Sequence, residues 1–415
     1  MLPLGYTPPM HSLVLYEDEG VEGFFPLTLW RTVFELRLGR DIILDRMAQQ
    51  LRRPVSGVWT RPGLGQVAAL RCGAPVNEPI KAPTVLVNGR WFMEAPVTIP
   101  ERNVFGLIGE EVAFVVCGPE HAGRFTPEVM ARTERLREAA AGYEQIVVPG
   151  RLLRYPWDLI DVLPRVLERD WQPESARLES AVDARCYVAN EDRVHVGPRT
   201  VVHPTAILDA TAGPVYLSHD VAVGANAVIE GPIYVGSGTK INPHAWLHGG
   251  NAIGPVCRIG GEVHGCIIHG YSNKHHHGFL GHSLVGSWVN LGAGCCNSDL
   301  KNTYGSVKVP LRGPDQPEVD SGTPFFGAVI GDHAKIGINA VIPTGAIIGF
   351  AAMTATGRVL PRWVPSFGWV TDAGVQAGDV NRMLDVASVV MARRHVDMTD
   401  DEVALFLELG ARMAR

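Results

Sequence analysis

Aliphatic side chains recur at every sixth position along Leu217, Val223, Ile229, Val235, Ile241, Leu247, Ile253 and Ile259. Val196, Val202 and Leu208 carry the same period earlier in the chain, and Ile330, Ile336, Ile342 and Ile348 carry it later. With roughly a quarter of residues aliphatic, eight consecutive hits have a chance on the order of 10⁻⁵. A period of six fits neither an amphipathic helix nor an alternating strand. It fits one short strand and one corner per six residues, so that three sides close a triangular coil of about 18 residues. The aliphatic then points inward. The residue two before it, Val221, Ala227, Ile233, Thr239, Ala245, Asn251 or Cys257, is small or modest and fills the corner. Gly, Asn and Asp after it are expected to take the strained turns. Such coils bury their apolar faces only by stacking, which predicts a parallel β-helix over 185–370.

Two stretches loosen the rhythm, one between Ile259 and Val285 and one between Leu300 and Phe326. Insertions into a solenoid project from one face, and that face commonly binds ligands. Residues 1–120 lack the hexad, and 1–165 is read as a separate domain with its linker helix. LVLYEDE and PTVLVNGRWF read as buried strands, 125–145 as a helix, and 155–171 as a second helix broken near Pro164. Strands mixed with helices predict an α/β domain. At the other end, Thr399 to Glu402 forms a capping-box pattern, so 371–415 reads as a helical extension with helices over 379–394 and 400–414.

Composition narrows the function class. A net charge of −6 with no basic run argues against nucleic acid. The apolar stretch Ile338–Thr356 could suggest a membrane helix, but Pro343, Gly345 and Gly349 fall on the hexad, so it reads as coil. Seven cysteines, an odd number without C-x-x-C, and no secretory pattern predict reduced thiols in a cytoplasmic protein.

The layout resembles the bifunctional sugar-1-phosphate nucleotidyltransferase/acetyltransferases, and within them a divergent sugar nucleotidyltransferase branch. The resemblance is carried by GYSNKHHHGFLGHSLVGSWVNLGAG, where His276 precedes Phe279-Leu280-Gly281 and Val289-Asn290-Leu291-Gly292-Ala293-Gly294 follows. It implies a left-handed β-helix, a homotrimer, and transfer of an acetyl group from acetyl-CoA to an amino-sugar phosphate. His276 would be the general base, with His275 and His277 as alternatives. Asn290 would contact the acceptor, the Ala293 and Gly294 backbone would hold the thioester, and Lys274, Lys301 and Tyr304 would hold the sugar phosphate. The family has a tyrosine where Phe279 stands. Its arginine on the preceding coil has only Arg258 as a possible counterpart.

At the other end of the chain the Gly-rich phosphate loop is missing. Pro26-Leu27-Thr28 with Arg31 and Arg37 stands in for it, and arginines can clamp phosphates bidentately. The resemblance implies Mg²⁺ accompanying an NTP, with Asp18 and Asn88 as metal candidates. Asn88 stands where the family has an aspartate. Two other readings compete. His264 and His269, spaced H-x₄-H, suggest a zinc β-helix enzyme of the carbonic-anhydrase type. Alternatively, either half is a binding scaffold without catalysis.

Overall fold

A computed structural model describes residues 11–80, 83–172 and 175–413. The chain divides into two compact units. One comprises residues 11–24, Arg31–Leu36 and Asp41–Tyr155; the other comprises Phe25–Trp30, Arg37–Arg40 and the chain from Pro156 onward.

The N-terminal unit is built on a six-stranded mixed sheet in the order Val55–Trp59, Ser12–Tyr16, Thr84–Asn88, Glu111–Cys117, Val104–Ile108, Glu144–Val147. The first three strands run parallel, and Glu111–Cys117 lies antiparallel between its two neighbours. Ser12–Tyr16 and Thr84–Asn88 are almost wholly buried, as expected of inner parallel strands covered on both faces. The expected helix over 125–145 is instead two short helices, Pro127–Met130 and Thr133–Ala139. Arg132 between them is extended (φ −135°), which separates the two hydrogen-bond ladders.

The second unit is a left-handed parallel β-helix of about 11 turns. Three parallel sheets, of ten, six and ten strands, form its main sides, and the last ends in an antiparallel hairpin, Gly368–Thr371 with Gly374–Ala377. Every hexad aliphatic from Leu217 to Ile259 is buried in one continuous core, with Val221, Ala227, Ala245 and Cys257 beside them. Register pairs such as Val223 with Ile241 and Ile241 with Ile259 stack like on like at 18-residue spacing.

Three expectations need correction. The turns are not left to Gly, Asn and Asp: His244, Val256, Tyr271, Trp288 and Phe367 all have φ near +60°. Gly236 and Gly254, in contrast, serve close approach. A Cβ on Gly236 would lie 2.6 Å from the Gly254 carbonyl carbon, and one on Gly254 would lie 2.6 Å from the Gly270 nitrogen. Second, the looser stretch after Ile259 does not project. The coils shorten, pairing Ile253 with Ile268 and Ile259 with Lys274, and only the second stretch leaves the solenoid, as an excursion containing the hairpin Lys308–Val309 with Val319–Asp320. Third, Pro156–Asp170 is one helix that runs through Pro164. Pro164 costs a ladder bond, and the buried face of Leu159, Val162, Leu163, Val166 and Leu167 holds the helix together across it.

The C-terminal helices Val380–Ala392 and Asp400–Met413 are observed, and Thr399 and Glu402 exchange capping-box hydrogen bonds of 3.1 and 3.2 Å. Residues 338–356 form coil strands, and among the described residues no helix is long and apolar enough to cross a membrane. All seven cysteines are free thiols.

Candidate functional sites

In the N-terminal unit the parallel strand Ser12–Tyr16 runs directly into Glu17 and Asp18, where open sheets characteristically place ligand groups. Both carboxylates are buried, and each is met by an arginine. Arg61 reaches Glu17 at 2.6 Å, and the Thr60 hydroxyl and Val33 N–H add further hydrogen bonds. Arg90 takes both oxygens of Asp18, at 2.6 and 2.5 Å, and bridges to Glu111 at 3.0 Å. Asn88 donates to Asp18 at 2.7 Å. The Arg90 guanidinium is itself buried, and its carboxylate partners reinforce the positive charge against desolvation.

Asp18 and Asn88, the two metal candidates, are therefore brought together, but around a guanidinium. With both Asp18 oxygens held by Arg90, and Asn88 presenting its amide N–H to the same carboxylate, these residues do not fit a resident Mg²⁺. Among the described residues no group of three or more His, Cys, Asp or Glu is arranged to hold a metal.

The residues expected to replace the phosphate loop are distributed between the units. Arg31 is buried in the first. Thr28 and Arg37 belong to the second, where Thr28 is fully buried and the Arg37 guanidinium lies 5.6 Å from the centre of the Tyr234 ring. The neighbouring Arg40 sits similarly over Tyr216, at 5.3 Å. Trp30 stacks on Phe350 and meets His333 and Phe406 edge-on, so this short segment is part of the solenoid unit's own packing.

On the solenoid, Lys274 occupies an inward position, paired in register with Ile259. Its ammonium donates to the carbonyls of Gly260 (2.8 Å) and His276 (2.7 Å). Burial pushes its pKa down to about 8. The lysine thus anchors the turn that carries His275, His276 and His277. His276 and His277 are exposed and His275 is half-buried, with the His275 and His276 rings edge-to-face at 4.7 Å. Asn290 is exposed on the adjacent coil, within 3.4 Å of the Asn273 amide, which also meets Arg394. Ala293 and Gly294 form the next corner, Gly294 with φ +74°. Tyr304 is 76% exposed, and Lys301 is half-buried. Among the described residues Arg258 bonds only backbone carbonyls, those of Gly238, Val256 and Cys257.

A second histidine cluster escaped the sequence reading. His248, His264 and His282 stack along one corner of successive coils, with ring centres 5.0 and 4.9 Å apart. Glu230 holds His248 Nδ1 at 3.1 Å and accepts from Trp246 at 2.8 Å, while Glu262 meets His248 Nε2 at 3.1 Å. Asp299 holds His282 Nδ1 at 2.7 Å. His264 sits between two rings. Desolvation, then His282 and His248, hold its pKa below the ordinary value. The ladder lines a cavity of about 700 Å³ whose other wall is the helix Pro156–Asp170. His269 is buried at the end of the next strand and does not belong to the ladder, so the H-x₄-H pair does not form one site. The signal that could have found the ladder is spacing: Glu230, His248, His264, His282 and Asp299 are each roughly one coil apart.

Residues 13–176 match the family model described as sugar nucleotidyl transferase. The bifunctional protein GlmU of Nostoc sp. (strain PCC 7120) is 26% identical over 220 residues, 50% of this chain and 44% of that protein. GlmU of Streptococcus pyogenes serotype M12 is 30% identical over 177 residues, 41% of this chain and 32% of that protein. The chain thus spans about half or less of the length of the curated relatives it matches. A solved UDP-N-acetylglucosamine acyltransferase from Francisella novicida is 14% identical and covers 52% of this chain and 74% of that one, at a TM-score of 0.27, too low to carry an argument. Residues 13–176 thus resemble a sugar nucleotidyl transferase domain, and the chain is similar to the GlmU proteins over about half of its length.

Proposed function

We propose that this divergent GlmU relative is a transferase of nucleotide-sugar biosynthesis. Its N-terminal unit would transfer a nucleotidyl group from an NTP to a sugar 1-phosphate. Its solenoid would transfer an acetyl group from acetyl-CoA to an amino-sugar phosphate, in a cytoplasmic homotrimer. The observation that carries the reading is the sugar nucleotidyl transferase match over residues 13–176 in one chain with a parallel β-helix.

In the acyl transfer, an imidazole on the Lys274-anchored turn, His276 in the first instance, takes a proton from the acceptor amine as its nitrogen attacks the thioester carbonyl. The backbone N–H of Ala293 donates to the oxyanion that forms. Collapse breaks the C–S bond, and the proton held by the imidazole passes to the departing thiolate. Asn290 fixes the acceptor, and Lys301 and Tyr304 hold its phosphate. In the N-terminal unit the Arg90–Asp18 pair supports the strand end, and Arg31 supplies positive charge toward phosphate.

Acetyl-CoA supplied with a panel of amino-sugar phosphates tests this, by following thiol release. His276→Ala should lower the rate by about 10²–10⁴-fold. An unchanged rate removes His276 as the base, and no turnover with any acceptor overturns acyl transfer. Calorimetric titration of the full chain with UTP and TTP in the presence of Mg²⁺ tests the first unit. No heat with either would instead favour a non-catalytic module there.

A further inference from the structure

The cavity beside the histidine ladder takes no part in the reactions above. We propose that it is a binding site for an unphosphorylated amino sugar, held between the ladder and the helix Pro156–Asp170. The site needs neither nucleotide nor CoA, so it stands apart from the proposed transferase activity.

Size comes first. About 700 Å³ lies within the range of small-molecule sites, and both walls belong to the solenoid unit. The walls differ in chemistry. Trp157, Ile160 and Pro164 from the helix, with Phe325 opposite, give apolar surface. Phe325 is 44% exposed and packs 5.2 Å from His282, leaving ring surface open to a ligand. Glu230, Asp209 and the three imidazoles give a dense row of hydrogen-bonding groups. A sugar ring has the matching division, with C–H groups on its faces and hydroxyls around its rim. Aromatic rings take the former. Carboxylates and imidazoles take the latter.

Charge then separates classes of sugar. Asp161, Asp209 and Glu230 line the cavity, and no lysine or arginine does so among the described residues. Arg165 stands 3.9 Å from Asp161 but does not line the cavity, so a phosphate dianion there would meet mainly carboxylates, whereas an ammonium would be attracted by them. The ladder is also built to stay in place. Glu230 and Glu262 hold His248, and Asp299 holds His282. His264 between them makes no ring hydrogen bond among the described residues and is exposed. Its two nitrogens are therefore available to one hydroxyl donor and one acceptor. Gly265 lets the His282 ring pack against its coil, since a Cβ there would lie 2.8 Å from that ring.

The test is ligand-observed NMR titration of the full chain, without nucleotide or CoA, using glucosamine, glucose and glucosamine 6-phosphate. Glucosamine should bind, and the other two should bind at least tenfold more weakly. Ala212→Trp, which places a large ring at the exposed rim of the cavity, should abolish binding. Phe325→Ala, at an exposed position that leaves the core untouched, should weaken it several-fold if the first variant fails to fold. Absence of glucosamine binding by the parent protein overturns the proposal. So does tighter binding of the phosphorylated sugar, or binding unaffected by Phe325→Ala. None of these outcomes depends on whether acyl or nucleotidyl transfer occurs.

Discussion

The carboxylates at the end of the strand Ser12–Tyr16 and those along the histidine-lined corner of the solenoid are balanced by different bases. In the first region Glu17 and Asp18 are paired with Arg61 and Arg90, whose charge is permanent at any physiological pH. In the second, Glu230, Glu262 and Asp299 are paired with His248 and His282, whose charge is conditional. The first arrangement turns arginine donors onto buried carboxylates and backbone carbonyls beside a strand end. The second leaves ring nitrogens and carboxylate oxygens facing a cavity. A closed ion pair supports a site; an open one can itself meet a ligand.

Breaking the permanent pair should have the largest effect. Arg90→Met leaves Asp18 buried without its cation, and removing one partner of a buried pair costs about 3–5 kcal/mol. Urea unfolding of the variant should show that loss with an unchanged denaturant slope. A loss below about 1 kcal/mol would mean that Asp18 protonates or hydrates readily and that the two regions are less different than their geometry indicates.

Lys274 sharpens the contrast, because among the described residues no carboxylate is hydrogen-bonded to its buried ammonium, which is held by two carbonyls. Its pKa is about 8 in the folded chain, below the ordinary lysine value. Between those two values the unfolded chain binds more protons, so unfolding free energy rises with pH across the window and levels off above it. Lys274→Met should remove that slope, a difference of about 2–3 kcal/mol between pH 7.5 and 10.5. Denaturation curves for both proteins at the two pH values measure it, and parallel pH dependence would contradict the assignment.

The smallest expected effect belongs to the open region. Asp299→Asn keeps a hydrogen-bond acceptor for His282 but removes the charge, and should cost about 1 kcal/mol at neutral pH. Thermal unfolding detects a change of that size. A cost as large as that of Arg90→Met would place the ladder among the fixed structural pairs.

The fold of the solenoid was legible because inward direction is set every six residues, whatever the coil above or below does. Leu217 to Ile259 could therefore be assigned one by one. The turn conformations were less legible, since coil stacking forces φ near +60° even on Val256 and Trp288. The turn bearing His275, His276 and His277 could be found because its histidines are neighbours in the chain. The environment of Asp18 and Asn88 could not, because Arg90, in the turn after Thr84–Asn88, directs its long side chain back onto Asp18, and Glu111 meets it from another strand.

Periodicity alone thus determined that the second half of the chain closes into a parallel β-helix and which side chains fill it. Which corner residues stand above one another was decided only in three dimensions. Coil length accumulates: the chain takes 18 residues from Ile241 to Ile259 but fewer from Ile253 to Ile268 and from Val263 to Leu280. A corner side chain has no inward-facing period to betray it, so a shift of one or two residues per coil decides whether three histidines form a ladder or scatter over the surface.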